Sequence, residues 1–539
     1  MTVQQNQVSV GQMLPNLLAD YGIEMVFGIP GVHNVELYRG LPDSPLTHVL
    51  PRHEQGAGFM ADGYARASGK PAACFTITGP GVTNILTPMG QAYSDSIPML
   101  VIASCLELPD QQQDRGRLHQ MRDQRAAAAS VTAFAAQATS SEGLLDLLAR
   151  AFALFRSDRP RPAYIEIPID VLAQPASGDW RARNLPQPPL VDRQALELAA
   201  HRLTRARRPL LLLGGGGLEA GATAQSLAEL LGAALVTTIA AKGAIPDGHP
   251  LSLGTHLAQP AVADYLSKCD AVLAVGTELS ETDLWRDKLA DLPAGALIRI
   301  DLDANKLVDR HGASLPLLGD AKETLSALLA ALRSRNLQPR ADTPGEVARL
   351  RQRIAASHPP LRHLHKRVLD ILRSALPEAT VIASDMTQLA YAANESLPLS
   401  HPRCWLHPVG FGTLGYALPA AIGAALAKPG QPVVALAGDY GFQYSLNELG
   451  VAAELNLPVI VLLWNNNALG EIRDDMVSKQ ISPNAVTQKN PDFTGLARAY
   501  GFSTFRPHSS EALALEIAAA LASGGPCLIE INQSLFDDA

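Results

Sequence analysis

Short apolar runs alternate along the chain with longer stretches in which Ala and Leu recur at helical spacing. "EMVFGIP", "AACFTIT", "MLVIAS" and "AYIEIPI" are such runs, each followed by a turn of small residues. A continuous apolar run bounded by turns reads as a strand buried on both faces, and strands that alternate with helices build parallel sheets covered by helices. The pattern returns in "VVALAG" and "PVIVLLW". Two stretches interrupt it. "AQPASGDWRARNLPQPPLVD" (Ala173–Asp192) is Pro-rich and aperiodic, and reads as a linker. "RNLQPRADTPGEVARLRQRIAASHPP" (Arg335–Pro360) is a polar connection with one helix inside it. The expected fold class is therefore α/β, with three doubly wound parallel-sheet domains over residues 1–180, 190–340 and 355–539. The first and third match loosely in outline.

Composition agrees. A length of 539 residues exceeds one hydrophobic core, and 47% hydrophobic with 18% charged residues is a soluble globular balance. A net charge of −8 argues against nucleic acid or an anionic membrane as partner. The opening residues carry neither a basic nor an apolar leader region, so no secretory signal is expected. No apolar stretch approaches the ~20 residues that span a bilayer. The five cysteines, Cys74, Cys105, Cys269, Cys404 and Cys527, show no CxxC spacing, which points to reduced core thiols and a cytoplasmic chain.

Candidate chemistry concentrates in "VVALAGDYGFQYSLNELGVAAELNLPVIVLLWNNNALGEIRDDM", Val433–Met476. Asp439 ends one strand, at the edge where open α/β sheets bind ligands. "SLNELGVAAEL" reads as a helix and "PVIVLLW" as the adjacent strand, so Asn465, Asn466 and Asn467 emerge at the same edge. Asp439 and Asn466 lie 27 positions apart, as a strand–helix–strand crossover requires. A carboxylate, an amide oxygen and a nearby carbonyl are hard ligands that suit Mg2+, with a diphosphate completing its shell. The glycines and the helix starting near Ser445 can receive phosphates through backbone N–H groups. Either motif alone is equally well an Asp cap and a polar turn; the pair at this spacing favours the metal.

Gly-Asp followed at this distance by Asn-Asn resembles the cofactor motif of thiamine-diphosphate enzymes. "GIPGVHNVELYRGL", "RHEQGAGFMADGYAR", "GPGVTN" and "DSIPMLVIAS" resemble, in order and spacing, the pyrimidine-binding domain of the acetolactate synthase and benzoylformate decarboxylase group. "RPAYIEIPIDV", "TTIAAKGAIPDGHPLSLG" and "RIDLDANK" resemble its middle domain, and "GFGTLGYALPAAIGAA" the thiazolium-seating segment of its diphosphate-binding domain. The resemblance covers nearly the whole chain. It implies thiamine diphosphate and Mg2+ as cofactors. It implies that Glu54 bonds the aminopyrimidine, that Asp439 and Asn466 bind the metal with the Ala468 carbonyl, that Gly412 offers its carbonyl to the 4′-amino group, and that Leu414 supports the bent cofactor. Pro30, Gly79, Asn84, Gly438, Tyr440, Gly441, Leu469 and Gly470 complete the implied cofactor contacts. With Glu54, the implied catalytic residues are His33 and Gln120; His33 and Asn34 lie on the implied substrate-facing loop. A homodimer or homotetramer with active sites at the dimer interface is implied as well, since Glu54 reaches the cofactor of the opposite chain. Read as bare residues, Leu414 is equally a core leucine and His33 a structural loop histidine.

Two departures stand out. "GDYGF" carries Tyr440 where the family has a small residue, so the turn must reshape or aim the phenol outward. "GTELSETDLW" (Gly276–Trp285) lacks the Arg-bearing flavin-contact pattern, which argues against a structural FAD.

Thiamine-diphosphate enzymes of this group remove CO2 from a small-molecule 2-oxo acid, and the pocket decides whether an aldehyde or an acetohydroxy acid follows. In "ALGEIRDDM", Glu471 and Asp475 are i and i+4 and share a helix face, with Ile472 beside them. They read either as a solvated charged face shared with Arg473 or as an acidic pocket for an oxo acid with a cationic tail. With "GIPGVHNVELYRGL", this looks most like the 5-guanidino-2-oxopentanoate decarboxylase branch of arginine catabolism, which forms 4-guanidinobutanal. Acetolactate synthase-like carboligation is the alternative. A cofactor-inactive structural or regulatory paralogue is a third reading, and a nicotinamide-dependent dehydrogenase built on "LLLLGGGGLEAGA" a fourth. The last lacks the ribose-binding acid, because Thr237 and Thr238 stand in its place.

Overall fold

The computed structural model of the chain describes residues 8–335 and 337–536. Most of the stretch read above for a leader, residues 1–7, lies outside them, and among the described residues no helix is long and apolar enough to cross a membrane.

Three parallel sheets form, and the apolar runs quoted above supply strands of the first and third. The first holds β1 (Met25–Gly28), β2 (Thr47–Val49), β3 (Ala72–Thr76), β4 (Met99–Cys105), β5 (Phe134–Gln137) and β6 (Ala163–Pro168), in the order β2-β1-β3-β4-β6-β5. The second holds β7 (Pro209–Leu213), β8 (Ala234–Thr237), β9 (Ala271–Val275), β10 (Leu297–Asp301) and β11 (Leu315–Leu318), in the order β11-β10-β9-β7-β8. The third holds β12 (Val381–Ser384), β13 (Trp405–Leu406), β14 (Val433–Gly438), β15 (Val459–Asn465), β16 (Ser503–Phe505) and β17 (Cys527–Asn532), in the order β13-β12-β14-β15-β17-β16. The first and third sheets thus share one strand order. The loose outline similarity seen in the sequence is a shared topology. Their central strands are buried throughout, as Val433–Gly438 and Met99–Cys105 show, because helices cover both faces.

One helix crossing fixes the first unit against the third. Helix Glu54–Ser68 crosses helix Ala417–Ala427, and a Cβ added to Gly63 would collide with the Ala420 carbonyl, one added to Gly423 with the Met60 carbonyl. Only glycine allows backbone to meet backbone this closely. Phe59, Met60, Tyr416 and Ile422 fill the core around the crossing. A buried ionic cluster completes it: Arg66 reaches Asp62 at 2.6 Å and Asp95 at 2.7 Å, and the Tyr416 hydroxyl donates to Asp62 at 2.6 Å. The second unit is tied to the first by Arg159, whose guanidinium meets both oxygens of Asp301 at 2.8 Å. The five cysteines are free and buried.

Candidate active site

The carboxyl ends of β12 and β14 and the turn 410–415 converge on one cradle in the third unit. Gly438 closes β14, and a Cβ there would stand 3.0 Å from Thr387 Oγ1; one on Gly441 would stand 2.7 Å from Asp385 Oδ2. Close approach, rather than a left-handed backbone, therefore requires these glycines. Asp385 is buried and accepts from the Gly415 N–H at 3.0 Å and from the Met386 N–H at 2.9 Å, so it shapes the turn that carries Gly412 and Leu414. Burial pushes its carboxyl up to about 6. Gly412 has φ +67° with Met386 across from it, and Leu414 is half-buried in the same turn. Nothing in the sequence pattern marks residues 385–388, because a short polar loop after a strand gives no periodic signal.

Tyr440 has a plain explanation. Its backbone is right-handed, φ −79° and ψ −53°, at the entry to a 3-10 turn over Gly441–Tyr444, so no glycine is needed there. The phenol turns outward against Tyr444, with ring centroids 5.7 Å apart. The expected helix from about Ser445 is corrected by the structure. Ser445, at φ −140°, interrupts the chain, a second 3-10 turn covers Leu446–Glu448, and the α-helix spans Leu449–Glu454. The irregular backbone places Glu448 against the first unit, where it accepts from the Arg52 N–H at 3.0 Å.

Asp439 is 2% exposed, and the asparagine run lies beside it because its own N–H bonds the Trp464 carbonyl at 2.9 Å. Burial raises its pKa, and a bond from Asn490 opposes the rise. Asn490 Nδ2 lies 2.6 Å from Asp439 Oδ2, 2.9 Å from Asn465 Oδ1 and 3.2 Å from Asn467 Oδ1. The Asn466 oxygen is turned instead to the Ala468 N–H at 3.1 Å. Ala468 faces Thr487 in an isolated antiparallel bridge whose bonds run through Leu469 N and Asn467 O, which leaves its own carbonyl outside the pairing. One buried carboxylate with amide and carbonyl oxygens around it is a donor set that fits a hard divalent cation. Gly470 adds a cradle wall: a Cβ there would stand 2.5 Å from Gln388 Oε1, a buried oxygen with no hydrogen-bond partner.

Glu54 opens helix Glu54–Ser68, and His53, not Glu54, caps it by accepting from the Gln55 N–H at 3.1 Å. This frees the Glu54 carboxyl, which is 8% exposed and accepts from Asn84 Nδ2 at 2.9 Å. The structure thus brings together Glu54 and Asn84; no hydrogen bond among the described residues joins Glu54 to the Asp439 cluster. Glu448 holds the backbone just before Glu54, and a Cβ on Gly56 would collide with it. Burial pushes the Glu448 carboxyl up to about 7. An acid whose folded pKa lies above its unfolded value near 4.5 favours the fold at low pH, and that contribution is lost as pH rises toward about 7. Thermal midpoints measured against pH should fall through this window, and Glu448→Gln should flatten the slope.

The loop residues need two corrections. Asn34 is fully buried, accepting from the Gly31 N–H at 2.6 Å and donating to the Ile29 carbonyl at 3.1 Å. It pins the loop and cannot face a substrate. Gln120 accepts from the Arg117 N–H at 2.9 Å and donates to Asp114 at 3.2 Å, so both its amide ends are engaged within its own loop. Its neighbour His119 meets His33 edge-on at 5.0 Å instead, and its carbonyl faces Gly79, whose φ is +72°. Burial, with the nearby His119, lowers the His33 pKa, and His33 Nδ1 is buried without a partner. Pro30 is exposed in the loop after β1.

The helix after the asparagines spans Gly470–Ser478. The pairing of Glu471 with Asp475 is corrected: Asp475 points to solvent and meets Lys479 at 2.8 Å, an i,i+4 pair of its own. Glu471, exposed, and Asp474, half-buried, share the face toward Gln388 instead, receiving its Nε2 at 3.3 and 2.9 Å. Arg473 lies 3.1 Å from Asp474, so two carboxylates stand against one guanidinium. Ile472 is exposed. In the middle unit the glycine run packs on another loop: Gly216 N–H donates to the Gly276 carbonyl at 3.0 Å, and a Cβ on Gly216 would stand 3.0 Å from Gly276 Cα.

Three family models match the chain. The N-terminal TPP-binding domain of thiamine pyrophosphate enzymes matches residues 8–127, the central domain 196–328, and the C-terminal TPP-binding domain 385–531. The chain is 49% identical over 533 residues to a probable 2-ketoarginine decarboxylase of Pseudomonas aeruginosa, covering 98% of this chain and 95% of that protein. It is 33% identical over 531 residues to the acetolactate synthase of Mycobacterium bovis, covering 93% and 84%. It is 29% identical over 548 residues to acetolactate synthase isozyme 1 large subunit of Escherichia coli, covering 98% and 95%. With the glycine cradle, the buried Asp439 and the Glu54–Asn84 pair all on the matched domains, the chain belongs to the thiamine pyrophosphate enzyme family and is an enzyme of that class.

Proposed function

We propose that the protein is a Mg2+-dependent 2-oxo acid decarboxylase that converts 5-guanidino-2-oxopentanoate to 4-guanidinobutanal and CO2, a cytoplasmic step of arginine catabolism. The observation that carries this reading is the convergence of Glu471 and Asp474 on Gln388 at the cofactor cradle. With Arg473 offsetting one carboxylate, the face is left with a single negative charge to match one guanidinium. The P. aeruginosa relative is named for the same oxo acid.

When bound, thiamine diphosphate supplies the electron sink that lets a 2-oxo acid lose CO2. Asp439, Asn466 and the Ala468 carbonyl would hold Mg2+; Asn466 would turn from the Ala468 N–H to do so. Gly438, Gly441, Leu469 and Gly470 would line the diphosphate side, and Gly412 and Leu414 the ring side. Glu54 would share a proton with the aminopyrimidine, and would do so from a second copy of the chain, in a homodimer or homotetramer. The apolar Phe411, Tyr444 and Ile472, each about half exposed beside the cradle, support such a contact. His33, half-buried with its Nδ1 unpartnered, is the imidazole that would face the substrate, and its lowered pKa keeps it neutral. FAD is left out of this reading, since Gly276–Trp285 lacks the Arg-bearing flavin-contact pattern.

The test is a substrate panel with product identification. The guanidino oxo acid should give its aldehyde and CO2 much faster than pyruvate gives any product. Faster conversion of pyruvate to acetolactate would replace this reading by carboligation. Glu471→Ala or Asp474→Ala should lower kcat/KM for the guanidino acid by about 10–100-fold, the loss of a charge-assisted bond. The same variants should leave uncharged oxo acids nearly unaffected.

A further inference from the structure

Asn490 has no part in the reading above, although its amide occupies the centre of the Asp439 cluster. It ends a segment fastened alongside the metal loop: Leu469 N–H donates to the Val486 carbonyl at 2.8 Å, and Gln488 N–H to the Asn467 carbonyl at 3.1 Å. From there Nδ2 faces three oxygens, those of Asp439 at 2.6 Å, Asn465 at 2.9 Å and Asn467 at 3.2 Å. An amide nitrogen carries two hydrogens, so it cannot serve three acceptors fully. Asn490 Oδ1, meanwhile, is buried without a partner. A weak donor therefore holds the Asp439 carboxylate, which is 2% exposed and is the one oxygen ligand it shares with the metal site, where a cation would be more favourable.

We propose that Asn490 is a surrogate for the metal. In the metal-free protein its amide takes the cation's place on the Asp439 carboxylate and ties it to Asn465 and Asn467. The arriving cation displaces it, and the pull on residues 486–490 loosens their bonds to the Asn467–Leu469 loop. Metal loading is thereby coupled to the seating of helix Gly470–Ser478, which carries Glu471 and Asp474. This rests on the Mg2+ and thiamine-diphosphate reading.

The experiment compares thermal midpoints of the full chain in a chelator with those in MgCl2 plus thiamine diphosphate. Asn490→Ala should lower the metal-free midpoint and leave the loaded one near wild type, so the shift on loading grows. Mg2+ should also bind several-fold more tightly, because nothing has to be displaced. Asn490→Asp, with a second carboxylate against Asp439, should lower the metal-free midpoint further. An equal fall in both states would make Asn490 a packing residue, and loss of the shift in Asn490→Ala would make it a ligand; either overturns the proposal. Hydrogen exchange on the wild type needs no variant: the Leu469 and Gln488 amides should exchange faster in the loaded protein, and unchanged rates would overturn the coupling. A wild type that shows no shift with MgCl2 and thiamine diphosphate would refute the cofactor reading itself, and this proposal with it. That result is seen before any variant is made.

Discussion

Glu54→Gln is expected to lower kcat by about 10²–10⁴-fold, the contribution of a positioned proton-transfer group. Glutamine keeps the size of the side chain and can still meet Asn84, but it cannot hold or return a proton. Because His53 caps the helix, the substitution should leave folding intact. The check is CO2 release in parallel with the thermal shift produced by MgCl2 and thiamine diphosphate. Lost turnover with a retained shift places Glu54 in catalysis. Turnover within a few-fold of wild type would reduce it to the first residue of a helix.

Asp439→Ala is expected to abolish both the thermal shift and the activity at millimolar cofactor. A ligand present at 100 times its Kd stabilises by about 2.7 kcal/mol, and that increment should vanish. The metal-free protein should lose little, because burial already penalises the Asp439 charge and raises its pKa. A shift that survives the substitution would move the metal elsewhere. The opposite behaviour expected of Asn490→Ala, where the shift grows, makes the two variants a matched pair.

What was legible in the sequence follows from how each feature is encoded. Continuous apolar runs announce buried parallel strands, so "VVALAG" coincides with β14 and Asp439 falls at its carboxyl end. Residues whose roles depend on a distant partner gave no such sign. Asn490 lies 51 positions from Asp439 in an aperiodic stretch, and Glu448 sits inside what reads as an ordinary helix. Asn34 lies on the loop after β1, but loop position does not say whether an amide faces outward or satisfies its own backbone, as Asn34 and Gln120 do. Asp475 shows a different failure: it is i,i+4 to Lys479 as well as to Glu471, and the attractive pair wins. Tyr440 departs from the family's small residue without strain, because the backbone there is right-handed.

The crossing at Gly63 and Gly423 bears on how such a protein can move. Two helices in backbone contact have no side-chain layer to rearrange between them, so the sliding by which packed helices usually accommodate domain closure is blocked at this point. The first and third units of one chain therefore travel as a single mechanical piece. Any opening that admits a substrate and releases CO2 falls to the rim, to the 110–120 loop and the 466–490 stretch, which can swing without disturbing that joint.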